Sequence, residues 1–562
     1  MKNSTFLKDK VWVIGLDGAT FELIMPWINA GKLPTFSRLI REGAHGILHS
    51  KIPQSPPAWA SFMTGCNPGK HGIFDWMQPR PGSYEADLAN GTMCCAPAIW
   101  EILSFKKRTV GVVNVPMTYP PIEVNGFIIS GFEAPYHSRD FTHPRGLLPE
   151  LEDRFGPYIR LPIIVEIPLR KTIVNFHDTI SQRQKIMDYL MEKYNPEFFL
   201  IVFNAADILQ HLCLQSYTDN GKNTAHLSAL YSIYRRFDVI LKDLLERLPG
   251  DTTLIVVSDH GAGPKHGTLY LDHWLAQKGW LRYASSNPKL AVRQKWKKLS
   301  QRLISGLKTV IPPQLKSVLK GLTGNLNTRL EKALIPPVID WANTQAFSFS
   351  QQGVYINLEG RYPNGLVKPG LEYKALCEDI TRALLDLKNP DDGTPVVERI
   401  SSKEEIFKGP YQDLAPDLYI YWKDDAYFSC ITELEARSLI FQRLRLLDME
   451  EIVVSERRDS RVGCHRQEGI LLMYGEKVKP GFLIKNAQIE DLAPTILSLM
   501  KEPILSEMDG NVLRQAFKDK YWREPLVISS QDVKASQKDG AAVYSKEERE
   551  SVEKKLRDLG YF

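Results

Sequence analysis

The chain has 562 residues, 43% hydrophobic and 24% charged, with a net charge of +5. That length suits one large α/β domain with insertions, and the near-neutral balance excludes a nucleic-acid binder acting through bulk charge. Seven cysteines, odd in number and without a CxxC pair, exclude a disulfide framework and a thiolate zinc site.

The polar start MKNSTFLKDK leads directly into an apolar, β-branched run at 11–16 of strand length. No signal-peptide core precedes it and no run is long enough to span a bilayer, so a cytoplasmic protein is expected. Asp17 and Gly18 close this strand, at the edge where open α/β sheets bind ligands. Further on, Gln54-Ser55-Pro56-Pro57-Ala58-Trp59 places a serine before two prolines, which open a helix without losing a needed donor. Ser55 then stands at a helix N-terminus, where partial positive charge favours an alkoxide or a phosphate.

A helix is expected at 98–105, a strand at 109–115 stopped by Pro116, another strand at 126–130 and a helix at 176–194. The run FFLIVF at 198–203 reads as a buried strand leading into Asp207 and His211. A long helix at 226–248 and a buried strand at 254–257 bring the chain to Asp259-His260-Gly261. Strands alternating with helices predict a largely parallel sheet covered by helices on both faces.

Composition changes at 289–332, where eleven Lys and Arg stand against Glu331 alone. Leucines and valines at helical spacing make this a pair of basic amphipathic helices broken at Pro312-Pro313. A solvated cap, a basic lid over an acidic substrate and a contact with an anionic membrane surface are the three readings of it. Strands follow at 346–350, 354–357, 417–422 and 469–474, with helices at 373–387 and 489–500. Ser545 and Glu548 form a capping box for a last helix. The expected organisation is an α/β core in two parts, 1–280 and 341–525, a basic helical insertion at 281–340, and a polar linker with a C-terminal helix at 526–562.

Asp207 and His211, four residues apart, share one face of a helix. Asp259 and His260 sit in a glycine-rich turn that lets backbone approach a ligand. With Asp17, Ser55 and His465 they make seven polar residues at the mouths of hydrophobic elements. Three imidazoles, three carboxylates and a hydroxyl can fill two metal sites of three and four protein ligands, a mixed set that suits zinc, then manganese. Three carboxylates and a serine alkoxide also balance the charge of two divalent ions, which an apolar pocket requires.

GLDGAT at 15–20, SPPAWASFMTGCNPGKHGIFDW at 55–76, the Asp207/His211 pair, VVSDHGAG at 256–263 and the Gly-x-His ending in His465 resemble the alkaline phosphatase superfamily. The nearest branch is the type I phosphodiesterase and nucleotide pyrophosphatase group. IEDLAPTILSLM at 489–500, followed by MDGNVL at 508–513, is also similar to that superfamily's closing helix and turn. The resemblance implies an alkaline-phosphatase-like fold, with one ion held by Asp207, His211 and His465 and the other by Asp17, Ser55, Asp259 and His260. It implies a phosphoric ester hydrolase working through Ser55 and a covalent phosphoseryl-type intermediate, with a small-molecule phosphate ester as substrate. A phosphomonoesterase, or a mutase or phosphotransferase, on the same metal site is the alternative. Serine replaces the branch's usual threonine, and Ala58 stands where its pyrophosphatases carry an asparagine. Trp59 stands where sulfatases need an arginine, which excludes that activity. The apolar surround of Ser55 favours diesters, and Lys265, His266 and Trp59 are the candidate substrate contacts.

Overall fold

Short apolar runs form the centre of the molecule, and the polar residues that follow them collect along one edge. The computed structural model describes residues 9–161, 168–214, 224–284, 339–429, 441–443, 462–532 and 543–559. The basic stretch 289–332 lies outside the described residues. Among those described, no helix is long and apolar enough to cross a membrane.

The central sheet contains β1 (Lys10–Leu16), β2 (Ala44–His49), β3 (Val110–Val115), β4 (Gly126–Ser130), β5 (Thr142–His143), β6 (Phe198–Phe203), β7 (Thr252–Val257), β8 (Glu468–Tyr474) and β9 (Phe482–Leu483). Their order is β9-β2-β8-β7-β1-β6-β3-β4-β5. The run from β7 through β1, β6 and β3 to β4 is parallel, whereas β8 is antiparallel to both β7 and β2. Alternate side chains point to opposite faces of a strand. Trp12, Ile14 and Leu16 therefore enter one core with Phe199, Ile201 and Phe203, while Val11 and Val13 enter the other with Phe198, Leu200 and Val202. Both faces are apolar, so both need helical cover. On the first face lie α1 (Phe21–Asn29), α2 (Pro34–Glu42) and the long helices Leu169–Tyr194 and Thr224–Glu246. On the second lie α3 (Ser55–Thr64) and the helix Leu492–Leu499.

Several expected elements have different ends. The strand expected at 346–350 stops at Phe347, where the Ser348 hydroxyl accepts the Ser350 amide at 3.3 Å and shares its one proton between the carbonyls of Ser350 and Gly353, which turns the chain. The helix expected from 489 starts as a 3₁₀ turn, Ile489–Asp491. The helix expected from 176 begins seven residues earlier, at Leu169. Within 341–525 the strands Ala346–Phe347, Gly353–Ile356, Val397–Ser402 and Leu418–Trp422 build a separate antiparallel sheet. It packs with the helix Leu371–Leu385 around its own apolar core. The last helix, Lys546–Leu559, has the expected reciprocal cap between Ser545 and Glu548, and it docks by Val552 and Leu556 on the first face.

Candidate metal centre

The parallel order places the carboxyl ends of β6, β1 and β7 side by side, and each delivers an acid there. Beyond β1, the Asp17 amide bonds the Phe203 carbonyl at 3.0 Å, which fixes the strand end against β6. Gly18 then turns with φ +67°, and a Cβ there would meet Asp207 Oδ1 at 3.0 Å. Only glycine lets the two loops approach so closely. After β6, Asp207 stands in the first turn of the helix Ala205–Cys213 with His211 one turn on. Gln210, between them, donates to the Gly18 carbonyl at 2.9 Å and is held in turn by the Tyr234 hydroxyl at 2.8 Å. After β7, Ser258 Oγ donates to the Ala19 carbonyl and accepts from the Ile470 amide, each at 2.8 Å. Asp259 Oδ1 accepts the Gly18 amide at 3.3 Å.

His465 arrives on a two-stranded ribbon, Gly261–Pro264 paired with Gly463–Arg466, in which it lies opposite Ala262. Its ring stacks on that of His260, with centroids 3.6 Å apart. All three imidazoles are anchored alike. His211 Nδ1 meets the Gly463 carbonyl at 2.9 Å, His260 Nδ1 the Gly261 carbonyl at 2.9 Å, and His465 Nδ1 the Pro53 carbonyl at 2.7 Å. A carbonyl only accepts, so the proton sits on each Nδ1 and the Nε2 lone pair faces inward. His211 Nε2 and His465 Nε2 are 3.0 Å apart, and both lie within 3.4 Å of Asp207 Oδ1. His260 Nε2 lies 3.6 Å from Asp17 Oδ1 and 3.4 Å from Asp259 Oδ2.

Two buried donor groups result, Asp207 with His211 and His465, and Asp17 with Asp207 and His260, so Asp207 stands between them. Ser55 is tied to this region through its chain neighbour Pro53. It lies two residues after the carbonyl that holds His465, in the first turn of α3, fully buried. Its Oγ, both carboxylate oxygens of Asp17, Asp259 Oδ2 and His260 Nε2 are buried without a hydrogen-bond partner. Unpaired buried polar atoms cost about 1–3 kcal/mol each. Four of them, on Asp17, Asp259 and His260, lie together beside inward-facing imidazoles, and resident divalent cations would satisfy them.

The electrostatics agree. Burial, and then the charges of Asp259 and Asp207, hold the Asp17 carboxyl well above the usual carboxylate range. Asp207 is held below that range against its burial, by His211 and His465. Burial depresses His260, whereas Asp207 raises His465 despite burial. Acids crowded in an apolar pocket resist ionising together unless a cation shares the space.

Three further sequence candidates, Trp59, Lys265 and His266, have the following surroundings. Trp59, expected as a substrate contact, is wholly buried: its ring comes within 2.6 Å of where a Gly15 Cβ would stand, lies beside Asp17, and packs edge-on against Phe62 at 5.4 Å. Lys265, one residue beyond the ribbon, is buried and bonds Thr268 Oγ1 at 3.3 Å. His266 is exposed beside Tyr427. His71, in the nucleophile motif, is a core residue linking Ser61 Oγ to the Ile73 amide, and burial pushes its pKa down to about 3. Gln210, Tyr234 and Ser258 were missed by sequence reasoning. Only Gln210 carried a signal, its three-residue spacing from Asp207 on one helix face.

Carboxylates and imidazoles gathered on the strand tips of an open α/β sheet define a metal-dependent hydrolase architecture. The chain belongs to the type I phosphodiesterase / nucleotide pyrophosphatase family, whose model matches residues 11–435. It is therefore an enzyme of the phosphoester-hydrolase class. The fold is similar to that of phosphonoacetate hydrolase from Sinorhizobium meliloti 1021 in complex with phosphonoformate. That likeness has a TM-score of 0.52 and 15% identity, over 88% of this chain and 96% of the other. It is also similar to an inactive murine ectonucleotide pyrophosphatase / phosphodiesterase 5 in complex with AMP, with a TM-score of 0.50 and 13% identity, over 91% of this chain and all of the other. At such identities the likeness is one of fold. No curated protein sequence matches the chain.

Proposed function

We propose that the chain is a two-metal phosphodiesterase with Ser55 as nucleophile. The carrying observation is the pair of imidazole Nε2 atoms, His211 and His465, facing each other at 3.0 Å with both Nδ1 protons committed to carbonyls. Two lone pairs so close need positive charge between them. Asp207, His211 and His465 would hold one ion, and Asp17, Ser55, Asp259 and His260 the other. Bound there, divalent cations supply Lewis acidity, lowering the pKa of a hydroxyl and of water and offsetting charge that develops on phosphorus.

The chain's own residues do the rest. The prolines after Ser55 and its place in the first turn of α3 aim Oγ at the mouth of the sheet, with the helix dipole favouring the alkoxide. Ser55 Oγ attacks phosphorus in line with the departing alcohol and becomes esterified. Water entering beside Asp207, His211 and His465 then releases the phosphoryl group and restores the serine. The Gly18–Gln210–Tyr234 chain and the Ser258 hydroxyl keep the three acidic loops in register throughout. Pro56, Pro57, Ala58 and Trp59 add no cation near the nucleophile, which favours a singly charged diester over a dianionic monoester.

The test is hydrolysis of bis-p-nitrophenyl phosphate against p-nitrophenyl phosphate, after chelation and restoration of zinc or manganese. Faster diester turnover that returns with metal is expected. No turnover of either compound with either metal would overturn the proposal.

A further inference from the structure

A second polar cluster lies along the same carboxyl edge, beyond β6. Arg183, on the helix Leu169–Tyr194, is only 2% exposed. Its Nη1 donates to Asn204 Oδ1 at 2.9 Å, its Nη2 bonds the Arg160 carbonyl, and its Nε has no partner. Asn204 is the residue that opens the helix bearing Asp207. Asn114, at the end of β3, accepts the Tyr158 hydroxyl at 2.8 Å, which leaves its buried Nδ2 without an acceptor. Tyr158 in turn lies beside Arg183.

Two further cations face this group. Arg160 lies 4.4 Å over the Phe141 ring and is only partly buried, near Tyr136, which is 58% exposed. Lys555, from the C-terminal helix, donates to the Phe132 carbonyl. Burial, with Arg160 and Arg183 adding to it, lowers its pKa to about 7. Among the described residues the carboxylate facing Lys555 is Glu133, whose Oε1 is taken by the amides of Thr118 at 2.9 Å and Tyr119 at 3.0 Å. Glu152 reaches Arg160 only at a distance, and it is already bonded to Arg139. Among the described residues, three basic side chains therefore meet one enclosed acid, and none sets a carboxylate beside Arg183. Buried charge in such excess calls for an anion.

We propose that Arg183, Asn114, Tyr158, Arg160 and Lys555 form an oxyanion subsite for a phosphoryl group remote from the scissile ester, carried by the substrate or present as free phosphate. The substrate form of this proposal rests on hydrolysis at Ser55. A buried guanidinium Nε–H and a buried amide N–H, each without an acceptor and linked through Tyr158, are donors of the kind that phosphoryl oxygens accept. The two arginines, uncompensated among the described residues, match a dianion better than a carboxylate. Entry is past Arg160 and Tyr136, the exposed side of the cluster. A phosphoryl group held there would lie on the flank of the metal centre that β3 and β6 define.

Equilibrium dialysis of the metal-loaded full chain against inorganic phosphate tests this. Two phosphates per wild-type chain are expected, and one in both Arg183→Met and Arg160→Met; the partly exposed Arg160 position keeps the test independent of any folding defect in the first variant. One phosphate that survives chelation and disappears in Arg160→Met would keep the subsite while defeating the metal reading. Equal numbers in wild type and both variants would overturn the subsite. Its source follows from kcat/KM for ATP over bis-p-nitrophenyl phosphate. A fall of that ratio by tenfold or more in Arg160→Met assigns the group to the substrate, and an unchanged ratio with phosphate binding lost assigns it to free phosphate.

Discussion

His211, His260 and His465 come from three separate segments yet are held by one device, an Nδ1–H given to a backbone carbonyl. The carbonyls belong to Gly463, Gly261 and Pro53, and no sequence pattern marks a carbonyl as a histidine's partner. The histidines themselves were legible because His260 and His465 border buried strands and His211 shares a helix face with Asp207, whereas their anchors depend on contacts between residues as far apart as Pro53 and His465. Ser55 was legible for a local reason, since two prolines after a serine fix a helix start whatever the rest of the fold does. The Arg183 cluster was illegible because its members share no motif and meet only through the sheet order. At this scale, Ser55→Ala should lower diester turnover by about 10³-fold or more while metal content measured on the purified protein stays at the wild-type level. Retained turnover would remove Ser55 as nucleophile.

Elements with one strong pattern were read with nearly correct ends: FFLIVF is β6, and the strand expected at 254–257 is the end of β7. β2 went unread because AHGILH alternates buried and partly exposed positions and lacks a β-branched run. Three strands of the antiparallel sheet within 341–525 were read, but not Val397–Ser402 nor their assembly into a separate sheet, because the pairing is set by distant partners. The ribbon that carries His465 is held to the Asp207 helix by close contact, for a Cβ at Gly463 would come within 2.4 Å of the Gln210 carbonyl. Gly463→Val should therefore push His465 outward and weaken metal affinity by about 10- to 100-fold, as loss of a supporting partner does. Titration with a chelator reads this directly. Asp272, beside the second sheet, gives a pH prediction that the metal does not enter. Burial raises its carboxyl to about 7, although it accepts the Ser348 amide at 3.0 Å. Between its unfolded pKa near 3.9 and its folded value, the folded chain keeps a proton that the unfolded chain has lost, so stability falls as pH rises across that window. Asp272→Asn should be more stable than wild type at pH 8, by on the order of 3 kcal/mol, and equal to it near pH 3 in denaturant melts. A variant less stable at pH 8 would contradict the assignment of that charge.

For the molecule as a whole, alternation of strands and helices fixed the class of fold, and the positions of acids after strands fixed which edge carries chemistry. What could not be read was which acids share an ion. Asp207 stands between both donor groups, and only the resemblance assigned it to one ion. That partition depends on distances of a few ångströms among loops brought together by strand order, with β1 between β6 and β7. The account rests on seven side chains gripping two cations at this junction. Anomalous diffraction at the zinc edge from crystals of the zinc-loaded protein tests it most directly. Two peaks are predicted, one ligated by Asp207, His211 and His465 and one by Asp17, Ser55, Asp259 and His260. An absence of peaks, or peaks only at other side chains, would contradict it.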